Sequence, residues 1–275
     1  MPHPAQIPSA VPHVLERILT AKRQRLAEAQ QQTSEAELRL RGRLRTPRDF
    51  ATALAVSGPL PAIIAELKQA SPSKGVLRAG LDVPVVARSY ELAGAAALSV
   101  LTEEDFFQGG MANLALAREA CNLPLLRKDF LFDPYQVWEA VAGGADAILL
   151  IVAMLAPTQI HHLLKVSHEA GLDVLVEVHD RAELEIALAA GARLVGVNNR
   201  DLRTFQVDPA RALELRPIIP QGVVTVAESG IRSHDDLWRL RDVGYDAVLI
   251  GEHFMTAPDP GLALSALLNG ERPGE

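Results

Sequence analysis

The sequence has a single cysteine, Cys121, so it lacks both an internal disulfide and a cysteine-based metal framework. It also lacks a long hydrophobic run, because its most apolar segment, residues 147–156, is too short to cross a bilayer. The first residues lack the charged-then-apolar order of a signal peptide. These absences exclude a disulfide-stapled secreted scaffold and a membrane partner, and we expect a cytoplasmic protein.

An excess of basic residues is absent as well. The net charge is −7 at pH 7, so we expect no nucleic-acid partner, although a small basic pocket for an anionic metabolite remains compatible with this charge. The 275 residues suit one large domain or two small ones, and an apolar fraction of 48% is enough for an extensive core.

The chain shows two different patterns. From about residue 10 to residue 57 it reads as helical and highly charged, with apolar residues at helical spacing, namely Val14, Leu15, Ile18 and Leu19. We predict an N-terminal helical extension over residues 1–57 that packs over the mouth or the flank of a larger body and helps to bury a substrate. Residues 58–275 are predicted to form the catalytic part of what is one domain overall.

Short apolar runs alternate with longer amphipathic segments from Pro61 onward, and many of those segments end in glycine. The runs cover residues 62–67, 96–101, 124–129, 146–152, 173–178, 193–198, 223–228 and 246–251. Parallel strands that are buried on both faces require such continuous apolar runs. Eight strand-then-helix units predict an α/β protein with a (β/α)8 TIM barrel. A doubly wound open sheet is the alternative, and it normally has fewer strands.

Charged and amide side chains stand where the predicted strands end. Glu66 and Lys68 are two residues apart, so they point to the same side of a strand. An exposed edge strand is the ordinary explanation for one such pair. Four other strands end in the same way, with Lys128, with Glu177, with Asn198 followed by Arg200, and with Glu228. The last strand ends in Gly251. Because barrel closure brings the carboxyl ends of all strands into one mouth, we expect a shared active-site cleft.

The last two predicted strands lead into glycine-containing loops, in the segments ESGI and IGEHF. In barrels these two loops often hold a phosphate group, because backbone N–H groups without a side chain can approach the anion closely. The segment SPSKG after the first strand adds hydroxyl and ammonium donors. The pattern therefore predicts a small phosphorylated molecule as the ligand.

Six segments together resemble the indole-3-glycerol phosphate synthase family. They are IIAELKQASPSKG, PLLRKDFLFDPYQV, VLVEVHD, GVNNRDLRTF, VAESGI and VLIGEHFM. The resemblance runs from about Pro61 to Met255 in the expected order, and the N-terminal helical region is also typical of the family. ESGI and the last glycine occur in related phosphate-binding barrels too, whereas ELK…SPS and RKDF are more specific.

The resemblance implies a carboxy-lyase of tryptophan biosynthesis. The family closes the ring of 1-(2-carboxyphenylamino)-1-deoxyribulose 5-phosphate to indole-3-glycerol phosphate, with loss of carbon dioxide and water. It implies Lys128 as the general acid of the condensation and Lys68 as the contact of the substrate carboxylate, which also assists dehydration. The remaining catalytic positions, for proton transfer and support, are Glu66, Glu177, Glu228 and Asn198. The sequence leaves open which carboxylate takes the final proton.

Substrate binding is assigned to a second set of residues: Ser71, Phe106, Leu131, Arg200, Ser229, Gly230, Gly251 and Glu252. Leu131 and Phe132 are expected to form an apolar wall for the aromatic ring, with a core position as the alternative. Glu252 and His253 stand where many relatives have small or hydroxylic residues. A Glu252 side chain turned inward would repel a phosphate held by backbone N–H groups.

No metal and no organic cofactor is expected, because the implied chemistry is acid–base. His161, His162, His168 and His179 lack a third ligand at metal spacing, and we predict surface positions for them. For the acid lysine, we expect burial and its neighbours to lower the pKa. The alternatives are a related phosphate-binding isomerase, a Schiff-base aldolase and a non-catalytic metabolite-binding barrel. We expect a monomer, with weak self-association as the alternative.

Overall fold

Eight parallel strands form a closed barrel in the computed structural model, which describes residues 13–55, 58–202 and 204–270. Each strand pairs with the next one in the chain, and the last strand pairs with the first, with Ala62 opposite Ala247. The strands are β1 (Ala62–Leu67), β2 (Ala97–Leu101), β3 (Leu125–Lys128), β4 (Ala147–Ile151), β5 (Asp173–Val178), β6 (Leu194–Asn198), β7 (Val224–Glu228) and β8 (Ala247–Ile250). The predicted (β/α)8 barrel is confirmed, and the open-sheet alternative is wrong.

Helices precede and separate the strands. They are α1 (His13–Gln32), α2 (Glu35–Gly42), α3 (Phe50–Leu54), α4 (Val83–Leu92), α5 (Met111–Ala120), α6 (Pro134–Ala142), α7 (Pro157–Glu169), α8 (Arg181–Ala189), α9 (Ala210–Leu215), α10 (His234–Asp242), α11 (Glu252–Met255) and α12 (Pro260–Leu268). Two short 3-10 helices, Val152–Met154 and Arg216–Ile218, and a hairpin of Ala70–Ser71 with Gly75–Val76 complete the elements. Within the described ranges, no helix is both long enough and apolar enough to span a membrane.

Local sequence signals fix where the barrel helices begin and end. Asp82 precedes α4 and its carboxylate accepts the backbone N–H of Val85 at 3.0 Å, while Asp180 caps α8 through the N–H of Glu183 at 2.9 Å. After α4 the chain turns at Gly94 with a φ of +96°, which a side chain would disfavour. These boundaries hold each helix to the length that returns the chain to the next strand.

The core occupies the barrel interior and the layer between strands and helices. Every residue of β2, β4 and β6 is buried, which explains why these strands read as continuous apolar runs. Buried side chains in α1 and α2 extend the same core beyond the barrel. The N-terminal helices are therefore packed parts of the folded body.

Helix α1 packs through the apolar face that the sequence predicts. Leu15, Ile18 and Leu19 are all buried in the core. The side chain of Val14 lies outside the described residues. Three described helices precede β1, but residues 56 and 57 are also outside the described residues, so the boundary between residues 57 and 58 stays a prediction.

Polar contacts anchor α1 to the loops that follow β2 and β3. The ammonium of Lys22 donates to Asp129 at 2.9 Å and to Glu104 at 3.2 Å, and Arg25 pairs with Asp105 at 2.7 Å. The Lys22 side chain is 4% exposed and that of Asp129 is fully buried. Since Asp129 directly follows Lys128, this buried pair connects the extension to the carboxyl end of β3.

We predict that Lys22→Met destabilises the protein by about 3–5 kcal/mol, because it leaves the buried Asp129 carboxylate without one of its cations. The free energy of unfolding in urea measures the change. Arg25→Met is the matched control on the same helix: its pair is half exposed, and its loss is expected to cost less than about 1 kcal/mol. Equal losses in the two variants would contradict a special role for the buried pair.

Candidate active site

The carboxyl ends of the strands open into a cavity lined by most of the residues predicted from the sequence. Those in its lining are Glu66, Lys68, Ser71, Lys128, Glu177, Asn198, Arg200, Glu228, Ser229, Gly230, Gly251 and Glu252. Residues of α1 that the structure describes do not line it. The extension therefore acts on the cavity through its supports, such as Asp129, and the direct burial of substrate by α1 is not seen among the described residues.

Glu66 and Lys68 lie side by side at the end of β1. The ammonium of Lys68 is 2.5 Å from Glu66 Oε1, and the Glu66 side chain is 4% exposed. The strand pairs with β2 on one side and with β8 on the other. The exposed-edge explanation is therefore wrong, and this pair belongs to the barrel mouth.

Lys128 lies between two buried carboxylates contributed by different strands. Its Nζ donates to Glu177 Oε2 at 2.9 Å and to Glu228 Oε2 at 3.0 Å. Both carboxylate side chains are 2% exposed, and the Lys128 side chain is 14% exposed. One ammonium thus links the ends of β3, β5 and β7 through contacts that water barely screens.

The neighbouring charges set the protonation states of this cluster. Burial by itself would lower the pKa of Lys128, but three carboxylates outweigh it and raise that pKa above its ordinary value; they belong to Glu177, Glu228 and Glu66. The expectation of a lowered lysine pKa is wrong for this reason. Burial opposes ionisation of Glu177, yet Lys128 and His179 hold its pKa below the usual range. Burial and the charge of Glu177 raise the pKa of Glu228 to about 7, against the pull of Lys128.

His179 is not the surface histidine that the sequence suggested. Its Nδ1 lies 3.0 Å from Glu183 Oε2, its Nε2 lies 3.4 Å from Glu177 Oε1, and its side chain is 11% exposed. The residue directly follows β5 and precedes α8 by two positions. The other three histidines, His161, His162 and His168, are exposed on α7 as predicted. The signal in the sequence that could have identified His179 was its position two residues after the strand-end Glu177.

The loop after β7 has an unusual backbone. Ser229 and Gly230 have φ values of +66° and +82° in succession, and a methyl group on Gly230 would press against Val207. The side chain of Asn199 donates to the carbonyl of Ser229 at 3.0 Å and supports this conformation. A φ in this region favours glycine, so any side chain at residue 230 strains the loop as well as filling the cavity.

Two glycines leave room for carboxylates of the cavity lining. A methyl group on Gly251 would overlap the carboxylate of Glu66, and one on Gly196 would overlap that of Glu228. Gly196 lies inside the buried strand β6 and was not singled out from the sequence. A glycine that interrupts a buried strand is the signal that could have identified it.

Glu252 turns toward the cavity and meets arginines there. Its Oε2 accepts from Arg200 Nη2 at 3.1 Å, and its Oε1 is 3.8 Å from Arg232 Nη2. Arg200 also donates to the carbonyl of Phe205 at 3.2 Å. The guanidinium assigned to the anionic ligand is thus already paired with a carboxylate of the protein.

Two predicted binding residues do not line the cavity. Leu131 is 1% exposed and belongs to the core, which was its alternative position. Phe106 lies under the guanidinium of Arg17 on α1, at 5.6 Å from the ring centre. The aromatic lining comes from their neighbours Phe107 and Phe130, whose rings are 6.0 Å apart. The sequence pattern located these segments but missed by one residue which side chain faces inward.

Three acidic side chains come together outside the cavity, in the loop after β2: Glu103, Glu104 and Asp105. Hydrogen bonds and ion pairs within the protein already use them. The carboxylate of Glu103 accepts backbone N–H groups of its own loop, while Glu104 and Asp105 pair with Lys22 and Arg25. These carboxylates therefore stabilise the loop and attach it to α1.

Comparison with known proteins identifies relatives over almost the whole chain. The family model described as indole-3-glycerol phosphate synthase matches residues 15–267. An indole-3-glycerol phosphate synthase of Bordetella pertussis is 49% identical over 258 residues, which are 93% of this chain and 98% of that protein. One of Carboxydothermus hydrogenoformans is 53% identical over 207 residues, 75% of this chain and 78% of that protein.

Solved structures share the barrel at much lower identity. The 3-hexulose-6-phosphate synthase of Salmonella typhimurium superimposes with a TM-score of 0.60 at 15% identity, covering 75% of this chain and 98% of that one. A likeness at this identity bears on the fold alone.

Gly251→Ala is predicted to lower kcat/KM by about tenfold or more, because the added methyl group displaces the Glu66 carboxylate. The overpacking is also expected to lower the free energy of unfolding by about 1–3 kcal/mol. Steady-state kinetics and the unfolding midpoint measure both effects. Gly110→Ala is the control, since its backbone is extended and a methyl group there meets open space. Native kinetics in Gly251→Ala would show that the cavity does not need this clearance.

Proposed function

The chain belongs to the indole-3-glycerol phosphate synthase family, and from that premise we propose how its own residues carry out the reaction. It is a carboxy-lyase of tryptophan biosynthesis that closes 1-(2-carboxyphenylamino)-1-deoxyribulose 5-phosphate to indole-3-glycerol phosphate, releasing carbon dioxide and water. Membership of this family excludes the three alternative functions, namely a related isomerase, a Schiff-base aldolase and a non-catalytic binding protein.

We assign the first proton transfer to Lys128. Ring closure turns the ribulose carbonyl oxygen into an alkoxide, which is a much stronger base than any amine. A lysine with a raised pKa is fully protonated at neutral pH and still donates to that oxygen as the charge develops. The observation that carries this assignment is the position of its ammonium in the cavity, held between Glu177 and Glu228.

We assign the later steps to the neighbouring couple of Lys68 and Glu66. The substrate carboxylate meets the ammonium of Lys68 until carbon dioxide leaves. Dehydration then needs an acid for the departing hydroxide and a base for the ring proton, and these two groups lie 2.5 Å apart. Lys128 thus serves the condensation, with Asn198 as its support, and the couple of Lys68 and Glu66 serves the later steps.

Lys128→Met is expected to lower kcat by roughly 10²-fold or more, because the alkoxide then forms without a proton donor. The fluorescence of the indole product, followed without added metal, measures turnover. Circular dichroism at the assay temperature verifies folding, since the variant leaves two buried carboxylates without their ammonium. Lys165→Met, at an exposed lysine on α7 outside the cavity lining, is the control and is expected to keep native turnover. Turnover near the native rate in Lys128→Met would remove Lys128 from the mechanism.

For the phosphate group we propose the loops after β7 and β8. The residues of this subsite are Ser229, Gly230, Gly251 and Arg200. Their support is that Gly230, which has no side chain, lines the cavity together with Arg200. Because Glu252 pairs with Arg200 in the free protein, the substrate phosphate has to take the place of that carboxylate. Glu252 therefore weakens anion binding while keeping Arg200 in position.

Glu252→Gln is expected to tighten competitive inhibition by sulfate by about fivefold, which corresponds to the removal of about 1 kcal/mol of like-charge repulsion at a partly exposed site. The inhibition constant is measured at fixed ionic strength. Glu169→Gln, which makes the same charge change at an exposed position on α7, is the control. If sulfate does not compete, or competes equally in all three proteins, the phosphate binds elsewhere.

We also propose that the enzyme works in the cytoplasm as a monomer. Residues of one chain supply the cavity and every catalytic group assigned above. Cys121 is a free, buried thiol, which is compatible with a reducing compartment.

A further inference from the structure

A buried imidazole lies behind Glu177, on the side away from Lys128. His179 connects two carboxylates: its Nε2 is 3.4 Å from Glu177 Oε1, and its Nδ1 is 3.0 Å from Glu183 Oε2. The backbone N–H of His179 donates to the same Glu183 oxygen at 2.7 Å. Since Glu183 holds the residue through both ring and backbone, the imidazole has a fixed orientation.

The start of α8 builds this clamp. The capping carboxylate of Asp180 accepts the backbone N–H of Glu183, which fixes that residue in the first helical turn. From there its side chain reaches back to His179, one residue past the end of β5. Local sequence alone thus sets the imidazole behind the strand-end glutamate.

We propose that His179 is a positioning residue that keeps Glu177 ionised and oriented toward Lys128, and so leaves Glu228 as the carboxylate that takes up a proton. The inference rests on the proposed function, because it takes Glu177 and Lys128 to be part of the catalytic machinery.

The two carboxylates that share Lys128 differ in their second contact. Glu177 has one oxygen at the ammonium and the other 3.4 Å from His179 Nε2, which is a charge contact without hydrogen-bond geometry, because that nitrogen has no hydrogen-bond partner among the described residues. Glu228 has one oxygen at the ammonium, and its Oε1 finds no hydrogen-bond partner among the described residues. Two buried carboxylates in one site cannot both ionise at low cost, so the group with the second cation keeps its charge. His179 therefore decides which of the pair is ionised.

The ring is cationic through the neutral range. Burial lowers the pKa of His179, but Glu177 and Glu183 outweigh it and raise that pKa to about 10. A raised pKa means that the contribution to stability is complete below the unfolded value and disappears as the pH rises through about 10. Other charged residues line the same outer groove as His179, namely Asp180, Arg181, Asp201, Asp208, Arg211 and Glu214. Near neutral pH, the carboxylate pair titrates while His179 keeps its charge.

The test is the pH dependence of kcat/KM in His179→Gln, which keeps an N–H donor and removes the charge. We expect kcat to fall about tenfold with KM within about threefold, and the acid limb of the profile to move up by about one pH unit, because Glu177 then holds a proton more tightly. Glu183→Gln loosens the clamp from outside the cavity and is expected to move the limb in the same direction by less. His162→Gln, on the exposed face of α7, is the control.

Three outcomes separate the possibilities. An unchanged acid limb in both variants, with kcat scaled equally at all pH values and a lower unfolding midpoint, would show a merely structural histidine and overturn the inference. Glu177→Gln is measured in parallel. If it keeps native turnover, the proposed role of Glu177 fails, and the inference fails with it. If Glu177→Gln is inactive while His179→Gln has the native profile, the inference about His179 fails by itself.

Discussion

The ammonium of Lys128 between Glu177 and Glu228 is the contact on which the rest of the site depends. Three strands that are distant in the sequence must close into a barrel before these groups can meet. Each carboxylate is almost completely buried, and an unpaired buried charge would destabilise the fold by several kcal/mol. Fold and site are therefore coupled: barrel closure creates the ion pairs, and the pairs make it tolerable to bury acids at the ends of the strands.

The surrounding structure supports this cluster from several sides. Gly196 and Gly251 leave the space that two of the carboxylates occupy. On the neighbouring loop, Asp129 accepts the ammonium of Lys22 and the hydroxyl of Thr102 at 2.9 and 2.7 Å. Helix α1 thus holds the residue next to Lys128, although its described residues stay outside the cavity lining. The extension is therefore tied to the end of β3 through this buried pair.

Sequence reasoning predicted the features that follow from order along the chain. All eight strands lie within the predicted apolar runs, because burial on both faces leaves a local signature. It failed where the outcome depends on contacts between distant elements. The pKa of Lys128 moves in the opposite direction because carboxylates from three other strands surround it. The side chains of Phe106 and Leu131 miss the cavity because a loop without periodicity does not reveal which neighbour faces inward. His179 was missed for a different, local reason: Glu183, four residues further on, holds its ring at the start of α8, and the strand pattern does not include that turn.

The charges in the cavity bear on the proposal that this acidic protein binds a substrate with a carboxylate and a phosphate. The charged lining, histidine aside, has five acids against four bases: Glu66, Asp129, Glu177, Glu228 and Glu252 against Lys68, Lys128, Arg200 and Arg232. A net positive field is therefore not the source of attraction. Each cation instead has a protein carboxylate as its partner in the free state. Under the proposed assignment, binding therefore proceeds by exchange: the substrate anions replace Glu66 at Lys68 and Glu252 at Arg200. A proton on Glu228, whose pKa is about 7, removes the remaining negative charge. Exchange keeps each of these cations paired with an anion in both states, which limits the number of unpaired charges in the low-dielectric interior of the barrel.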